Sequence, residues 1–221
     1  MPMEAINATL RLIVPALMET LYMAGASTIL AYLLGFPFGV LLVITAPGHI
    51  APRRRLNRLL GACINALRSA PFIILMVAMI PITVRIVGTS IGTTAAIVPL
   101  VAAATPFVAR MVETSLTEVP FGTVEAALVM GATPWQIVWK VLLPEAKPSI
   151  ILGAAVSSIS IIGYTAMAGA IGGGGLGDLA IQYGYNRFRT DIMLATLLLL
   201  IAVVQLVQQV GQLFARRIDR R

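Results

Sequence analysis

Hydrophobic positions in this chain come in long blocks, and charges mark the edges of the blocks. No Asp, Glu, Lys or Arg lies between Glu19 and Arg53, between Arg85 and Arg110, between Lys147 and Asp178, or between Asp191 and Arg216. Each gap holds the roughly 20 residues that carry a helix across a bilayer. The pattern predicts membrane helices over 20–44, 91–111, 149–171 and 192–214. The gap between Arg68 and Arg85 is shorter. It makes a further span, 59–84, only if Arg68 rides inside that helix, where it either snorkels to the headgroups or points into the bundle as a functional charge. Lipid offers the backbone no hydrogen bonds, so spanning segments are helices or closed barrels. These runs lack the strict alternation of barrel strands. The expectation is an all-α membrane protein with five transmembrane helices, forming a single domain over 1–221.

Composition agrees. Of 221 residues, 58% are hydrophobic and 11% charged, and the mean hydropathy is +0.92. A soluble domain carries about 25% charged residues, so a soluble enzyme and a disordered chain are both excluded. Nineteen glycines and 13 prolines suit close-packed, kinked membrane helices. Cys63 and His49 are the lone residues of their kinds. They support no disulfide framework and no metal site. Cys63 reads as an apolar filler and His49 as a headgroup-level loop residue. No cleavable signal peptide is expected, because one apolar stretch follows another.

An odd number of spans puts the termini on opposite sides, and basic residues choose the sides. Arg53, Arg54, Arg55, Arg58, Arg110, Lys140, Lys147, Arg216, Arg217, Arg220 and Arg221 fall on one face; Arg11, Arg85, Arg187 and Arg189 fall on the other. The richer face is cytoplasmic, so the N-terminus is expected outside (periplasmic) and the C-terminus in the cytoplasm. The formal charge of +7 is thereby explained, and no nucleic-acid partner is implied. Pro37, Pro71, Pro81, Pro99 and Pro106 lie within the spans. Each removes a backbone donor, which makes a kink in a static bundle or a hinge in a moving one.

The longest connection, 112–148, has a pattern of its own. Pro120 and Gly122 break the chain, and Thr123 can cap a helix starting near Val124 with Glu125 in its first turn. Ala126, Ala127 and Leu128 favour the helix, and Gly131 stops it. Thr133 can cap a second helix with Pro134 at its first position, which Pro144 ends or bends. Two short helices joined at a glycine turn result.

These residues carry a resemblance. The segment is similar to the EAA loop of binding-protein-dependent ABC transporter permeases: Glu-Ala-Ala, three residues, Gly, nine residues, Ile, one residue, Leu-Pro. Here stand Glu125, Ala126, Ala127, Gly131, Val141 in the Ile position, Leu143 and Pro144. The resemblance extends along nearly the whole chain to the methionine-importer branch, through Arg68-Ser-Ala-Pro-Phe-Ile-Ile-Leu, Val87-Gly-Thr-Ser-Ile-Gly, Pro106-Phe-Val-Ala-Arg-Met-Val-Glu113, Met130-Gly-Ala-Thr-Pro134, Gly163-Tyr-Thr-Ala-Met167 and Gln182-Tyr-Gly-Tyr185. It implies a type I ABC importer permease in the bacterial inner membrane, moving methionine in its L and D forms. A second copy, two ATP-binding cassette ATPase subunits and an extracytoplasmic methionine-binding lipoprotein are the implied partners. Glu125, Ala126, Ala127, Gly131, Ala132, Thr133, Pro134, Leu143 and Pro144 become the implied contact with the ATPase.

Other candidates remain open. The chain lacks the glycine-rich loop with Lys and Ser/Thr that cradles phosphates, and Gly172–Gly175 has neither partner residue. No catalytic residue and no cofactor are expected. The segment from Gly172 to Asp191 either lines an external entrance or is a flexible link. Met167, with Tyr164 nearby and small neighbours around it, is a passage or gate candidate, or equally a core filler. Arg68 joins them as a passage candidate. Arg110 and Glu113 read as a solvated surface pair. Import of another small amino acid is the alternative within the family. An intramembrane enzyme is disfavoured, since the spans hold no His or Asp to activate a nucleophile.

Overall fold

The computed structural model describes residues 2–219, with side chains from residue 9 onward. Arg220 and Arg221, counted on the cytoplasmic face above, lie outside the described residues. The described residues form helices and no strand. In chain order these are α1 (Pro2–Ile44), α2 (Arg54–Ser69), α3 (Phe72–Ala78), α4 (Ile80–Val87), α5 (Thr93–Thr117), α6 (Phe121–Val129), α7 (Pro134–Ile137), a π-helical turn (Val138–Leu142), α8 (Leu143–Gly169), α9 (Gly175–Leu179), a second π-helical turn (Ala180–Tyr185) and α10 (Thr190–Ile218).

Among the described residues, four stretches are long and apolar enough to span a membrane: Thr9–Ile44, Thr93–Thr117, Pro134–Gly169 and Thr190–Ile218. They contain the expected spans 20–44 and 192–214, 91–111 apart from its first two residues, and 149–171 apart from its last two, and each runs beyond the expected span at one end or both. Charge marks where the membrane ends, not where the helix ends. Arg11 and Glu19 sit within α1, and Glu113 within α5.

The expected span 59–84 is not one helix. The chain breaks at Ala70–Pro71 and again at Met79, giving α2, α3 and α4. Pro71 has no N–H to continue α2, and its backbone is extended (φ −61, ψ 131). Pro81 near the start of α4 plays the same part at the second break. Pro37, Pro99 and Pro106, by contrast, lie within unbroken helices.

The chain divides into two compact units: residues 1–29, 70–103 and 158–207, and residues 30–69, 104–157 and 208–221. In the first unit, Met23, Phe72, Met76, Leu100 and Ala168 form one buried cluster, and Ile13, Ala16, Leu176, Leu179 and Ile192 another. The glycine-rich segment belongs to this packing and is no loose link. The Gly175 N–H donates to the Glu19 carboxylate at 2.7 Å, and the Leu176 N–H to the Thr20 hydroxyl at 2.8 Å. Glu19 and Thr20 thus satisfy the open N-terminus of α9.

The second unit is built on close approach between α1 and α5. A Cβ on Gly35 would stand 2.6 Å from the Thr105 carbonyl, and one on Gly39 2.6 Å from the Ala109 carbonyl. The spacing Gly35-x-x-x-Gly39 removes side chains from one stripe, so the two backbones meet. Leu42, Ile64 and Ala109 close the core beside it. Arg110 and Glu113 are no solvated surface pair. Their side chains are 22% and 23% exposed, and the Arg110 guanidinium also donates to the Gly61 carbonyl and the Asn65 side chain. This ties α2 to α5. Cys63 is exposed and fills no core.

Candidate functional site

The 112–148 connection folds as the expected hairpin, within the second unit. It begins later than expected, because α5 continues to Thr117. Its first helix, α6, opens at Phe121 behind Pro120, which makes no side-chain cap. The expected Thr123 cap near Val124 is therefore not the start. Proline already fixes the entry, and Thr123 donates its backbone N–H to the Pro120 carbonyl at 3.0 Å.

The turn out of α6 explains why a glycine stands four residues after the two alanines. Gly131 has φ +80, a left-handed conformation that L side chains resist. Its N–H donates to the Leu128 carbonyl at 2.9 Å, and the Ala132 N–H to the Ala127 carbonyl at 3.0 Å. The two bonds form a Schellman closure, which satisfies the last carbonyls of the helix. No other atom lies within 4 Å of a Cβ built on Gly131, so its backbone conformation, not crowding, requires glycine.

The second arm starts as expected. The Gln136 N–H donates to the Thr133 hydroxyl and the Thr133 N–H to the Gln136 side chain, a reciprocal capping box with Pro134 at the first position. Pro144 does not end this arm. The helix widens into the π turn Val138–Leu142, where the Leu143 N–H reaches back to the Val138 carbonyl, and then runs on through Pro144 and Pro148 into α8. A wider turn just before a proline relieves the clash of its ring with the preceding carbonyl.

Ala127 and Val124 are buried under the hairpin, with Ile137, Val138 and Leu142 from the other arm. Glu125, Ala126, Gly131, Thr133, Pro134 and Pro144 are exposed, and Ala132, Val141 and Leu143 are half-buried. The tip also carries an apolar patch that sequence reasoning did not single out. Val129 is 84% exposed, Met130 80% and Trp135 68%. Trp135 meets Trp139 edge to face at 5.7 Å. Spacing of Trp135 and Trp139 by four residues was the available signal, since i and i+4 share a helix face. At the base of the hairpin, His49 approaches Phe121 edge-on at 6.1 Å. Partial burial pushes the His49 imidazole below its usual pKa, because the charged form loses solvation.

The three passage candidates do not belong to this hairpin. Tyr164 and Met167 lie on α8 in the first unit. Tyr164 stacks on Phe72 with 4.8 Å between ring centres, while Met167 is 46% exposed. Arg68, in the second unit, is exposed in the last turn of α2, with its guanidinium 5.7 Å from the centre of the Phe107 ring. No group of three or more His, Cys, Asp or Glu able to hold a metal occurs among the described residues.

The hairpin thus joins a buried face of Val124, Ala127, Ile137, Val138 and Leu142 to an exposed apolar tip, in a chain with four helices, among the described residues, long and apolar enough to cross a membrane. Comparison with known families decides which kind of membrane protein this is. The model described as "Binding-protein-dependent transport system inner membrane component" matches residues 35–221. The chain belongs to this permease family. Among the permeases it resembles, the probable D-methionine transport system permease protein MetI of Vibrio cholerae is 51% identical over 210 residues, covering 95% of this chain and 93% of the relative. The D-methionine transport system permease protein MetI of Escherichia coli is 52% identical over 158 residues, or 72% and 73% of the two chains. Among solved structures, an inward-facing conformation of the MetNI methionine ABC transporter contains a permease chain that superposes with a TM-score of 0.94. It is 49% identical, with 96% of this chain and 98% of that one covered. This permease is thus a transport component of the inner membrane, and the relatives named above are permeases of transport systems.

Proposed function

We propose that this chain, as one transport domain, is the membrane subunit of an ABC importer that carries methionine inward, L and D forms alike. ATP is hydrolysed on a separate subunit that docks on the hairpin from Glu125 to Pro144. The observation that carries this reading is the end-to-end likeness to the MetNI permease chain, together with an intact Glu-Ala-Ala-to-Leu-Pro hairpin. Two copies of the permease stand over two ATPase subunits, and a methionine-binding lipoprotein delivers substrate from outside. The excess of basic residues on one face places the C-terminus in the cytoplasm.

The mechanism follows from the hairpin. Val129, Met130 and Trp135 offer the kind of compact apolar anchor that dominates protein interfaces. Thr133 and Gly131 fix the angle between the two arms, so a pull on the tip passes into α8 as a rigid displacement. α8 carries Met167, which lines the passage with an apolar, flexible thioether. Tyr164 backs it from the Phe72 stack. ATP-driven approach of the two ATPase subunits then favours one packing of the spans, and release favours the other. Arg68, held against Phe107, positions the C-terminal end of α2.

Reconstitution tests the reading. Vesicles holding the permease, the ATPase subunit and the binding lipoprotein should take up labelled methionine only with ATP on the ATPase side. Uptake of a charged amino acid, with none of methionine, would overturn the substrate. Methionine uptake with no ATPase subunit present would overturn the mechanism.

A further inference from the structure

The last helix, α10, has three faces in its inner half. Gly211 and Ala215 form the packed face: Ala215 is buried, and a Cβ on Gly211 would stand 2.4 Å from the Ala155 side chain. Val210, Leu213 and Phe214 form an exposed apolar face that lipid can cover. Gln208, Gln209, Gln212 and Arg216 form the third. All four are exposed. At about 100° per residue they fall within an arc of about 100°.

The third face does not suit lipid. α10 has 29 residues, so it is about 43 Å long at 1.5 Å per residue. A hydrocarbon layer about 30 Å thick, centred on the helix, includes Gln208, Gln209 and Gln212 and leaves Arg216 at the headgroups. None of the three amides hydrogen-bonds to another described residue. Each would leave donors and acceptors unmet in hydrocarbon, at several kcal/mol apiece. Leucine at these positions would serve a lipid-facing helix better. The amides therefore have a polar cover that a single chain does not supply.

We infer that the Gln208–Gln209–Gln212 face of α10 is where a second copy of this chain packs, amide against amide, across a twofold axis. A carboxamide carries both donor and acceptor, so it is complementary to itself. A twofold interface requires that property, because the same patch meets itself. Hydrogen bonds between Gln side chains of neighbouring helices hold such interfaces in lipid. Arg216 sets the direction of crossing. Two like charges repel, so the paired helices meet at the glutamines and diverge toward the cytoplasm. The inference rests on the two-copy reading above but assigns its surface.

Cysteine cross-linking in membranes, on the full chain expressed with its ATPase subunit, tests it. In a Cys63→Ser background, Gln209→Cys and Gln212→Cys should give a disulfide-linked species of twice the mass on mild oxidation, and Leu213→Cys should not. A Gln208→Leu/Gln209→Leu/Gln212→Leu variant should insert normally yet lose most of its two-copy form on gentle extraction. Cross-linking through Leu213→Cys but not Gln209→Cys would overturn the surface while leaving the pairing of copies intact. So would rapid labelling of Gln209→Cys by a membrane-impermeant maleimide without cross-linking, which would place the glutamines on a water-filled passage. A complex holding one permease copy, with no cross-link from any face, would overturn the two-copy reading as well.

Discussion

Gly131 and His49 act through different physics. A valine at 131 meets open space but must adopt φ near +80, which costs an L residue about 1–2 kcal/mol and a β-branched one more. Asparagine tolerates that conformation far better. Gly131→Val should therefore abolish uptake and substrate-stimulated ATP hydrolysis while the chain still inserts, and Gly131→Asn should keep a substantial part of both. Equal loss in the two variants would show that backbone conformation is not what the glycine supplies. His49 is held neutral by burial beside Phe121. Its folded-state pKa lies below the ordinary 6.5, so the unfolded chain binds the proton more readily. Stability is full above pH 6.5 and declines as pH falls below it. The melting temperature should drop between pH 7 and pH 5, and His49→Gln should flatten that slope. Local chemistry of this kind was legible in the sequence where it acts within a few residues: Thr133, Pro134 and Gly131 read as caps and a stop, and are. Arg110 was not legible, because its partners Gly61 and Asn65 lie far away along the chain.

At the scale of elements, the contact between α1 and α5 depends on two missing side chains. Gly39→Leu would drive atoms into the Ala109 carbonyl and Val112. Overpacking of that kind destabilises by about 1–3 kcal/mol, read as a lower melting temperature in detergent, whereas Gly25→Leu, with nothing within 4 Å, should change little. Trp135→Ala should leave insertion intact and lower retention of the ATPase subunit on co-purification about tenfold or more, since truncated aromatic anchors cost 2 kcal/mol or above. The long spans were readable because hydrocarbon forbids charge. Their true ends were not, because helices extend past the membrane. The break of the expected 59–84 span at Pro71 was half-readable. Five prolines lay within the spans, and only those at 71 and 81 sit at breaks. Pro37, Pro99 and Pro106 are carried inside longer helices, where neighbouring turns absorb the lost bond.

For the whole molecule, topology is the outstanding expectation. A fluorescent protein fused after Arg221 should fluoresce, and alkaline phosphatase fused at the same place should be inactive; the reverse pair would invert the orientation. Class and the hairpin were written in the distribution of charge and in one spaced motif; the count of five spans was not, because among the described residues four helices qualify and a fifth does so only if α2 and α3, bent by 98°, are taken as one. The apolar tip at Val129, Met130 and Trp135 was hidden, because in a membrane chain one more exposed hydrophobe has no contrast against the rest.

The wide turn at Val138–Leu142 has a consequence for the gene. One residue more than an α-helix needs is spooled into it. Deleting the codon for Lys140 should let the rod rewind to ordinary pitch with the stretches on either side still in register, because such a turn is an α-helix carrying one inserted residue. The same deletion two turns further on, in regular helix, would instead swivel the tryptophan end by about 100°.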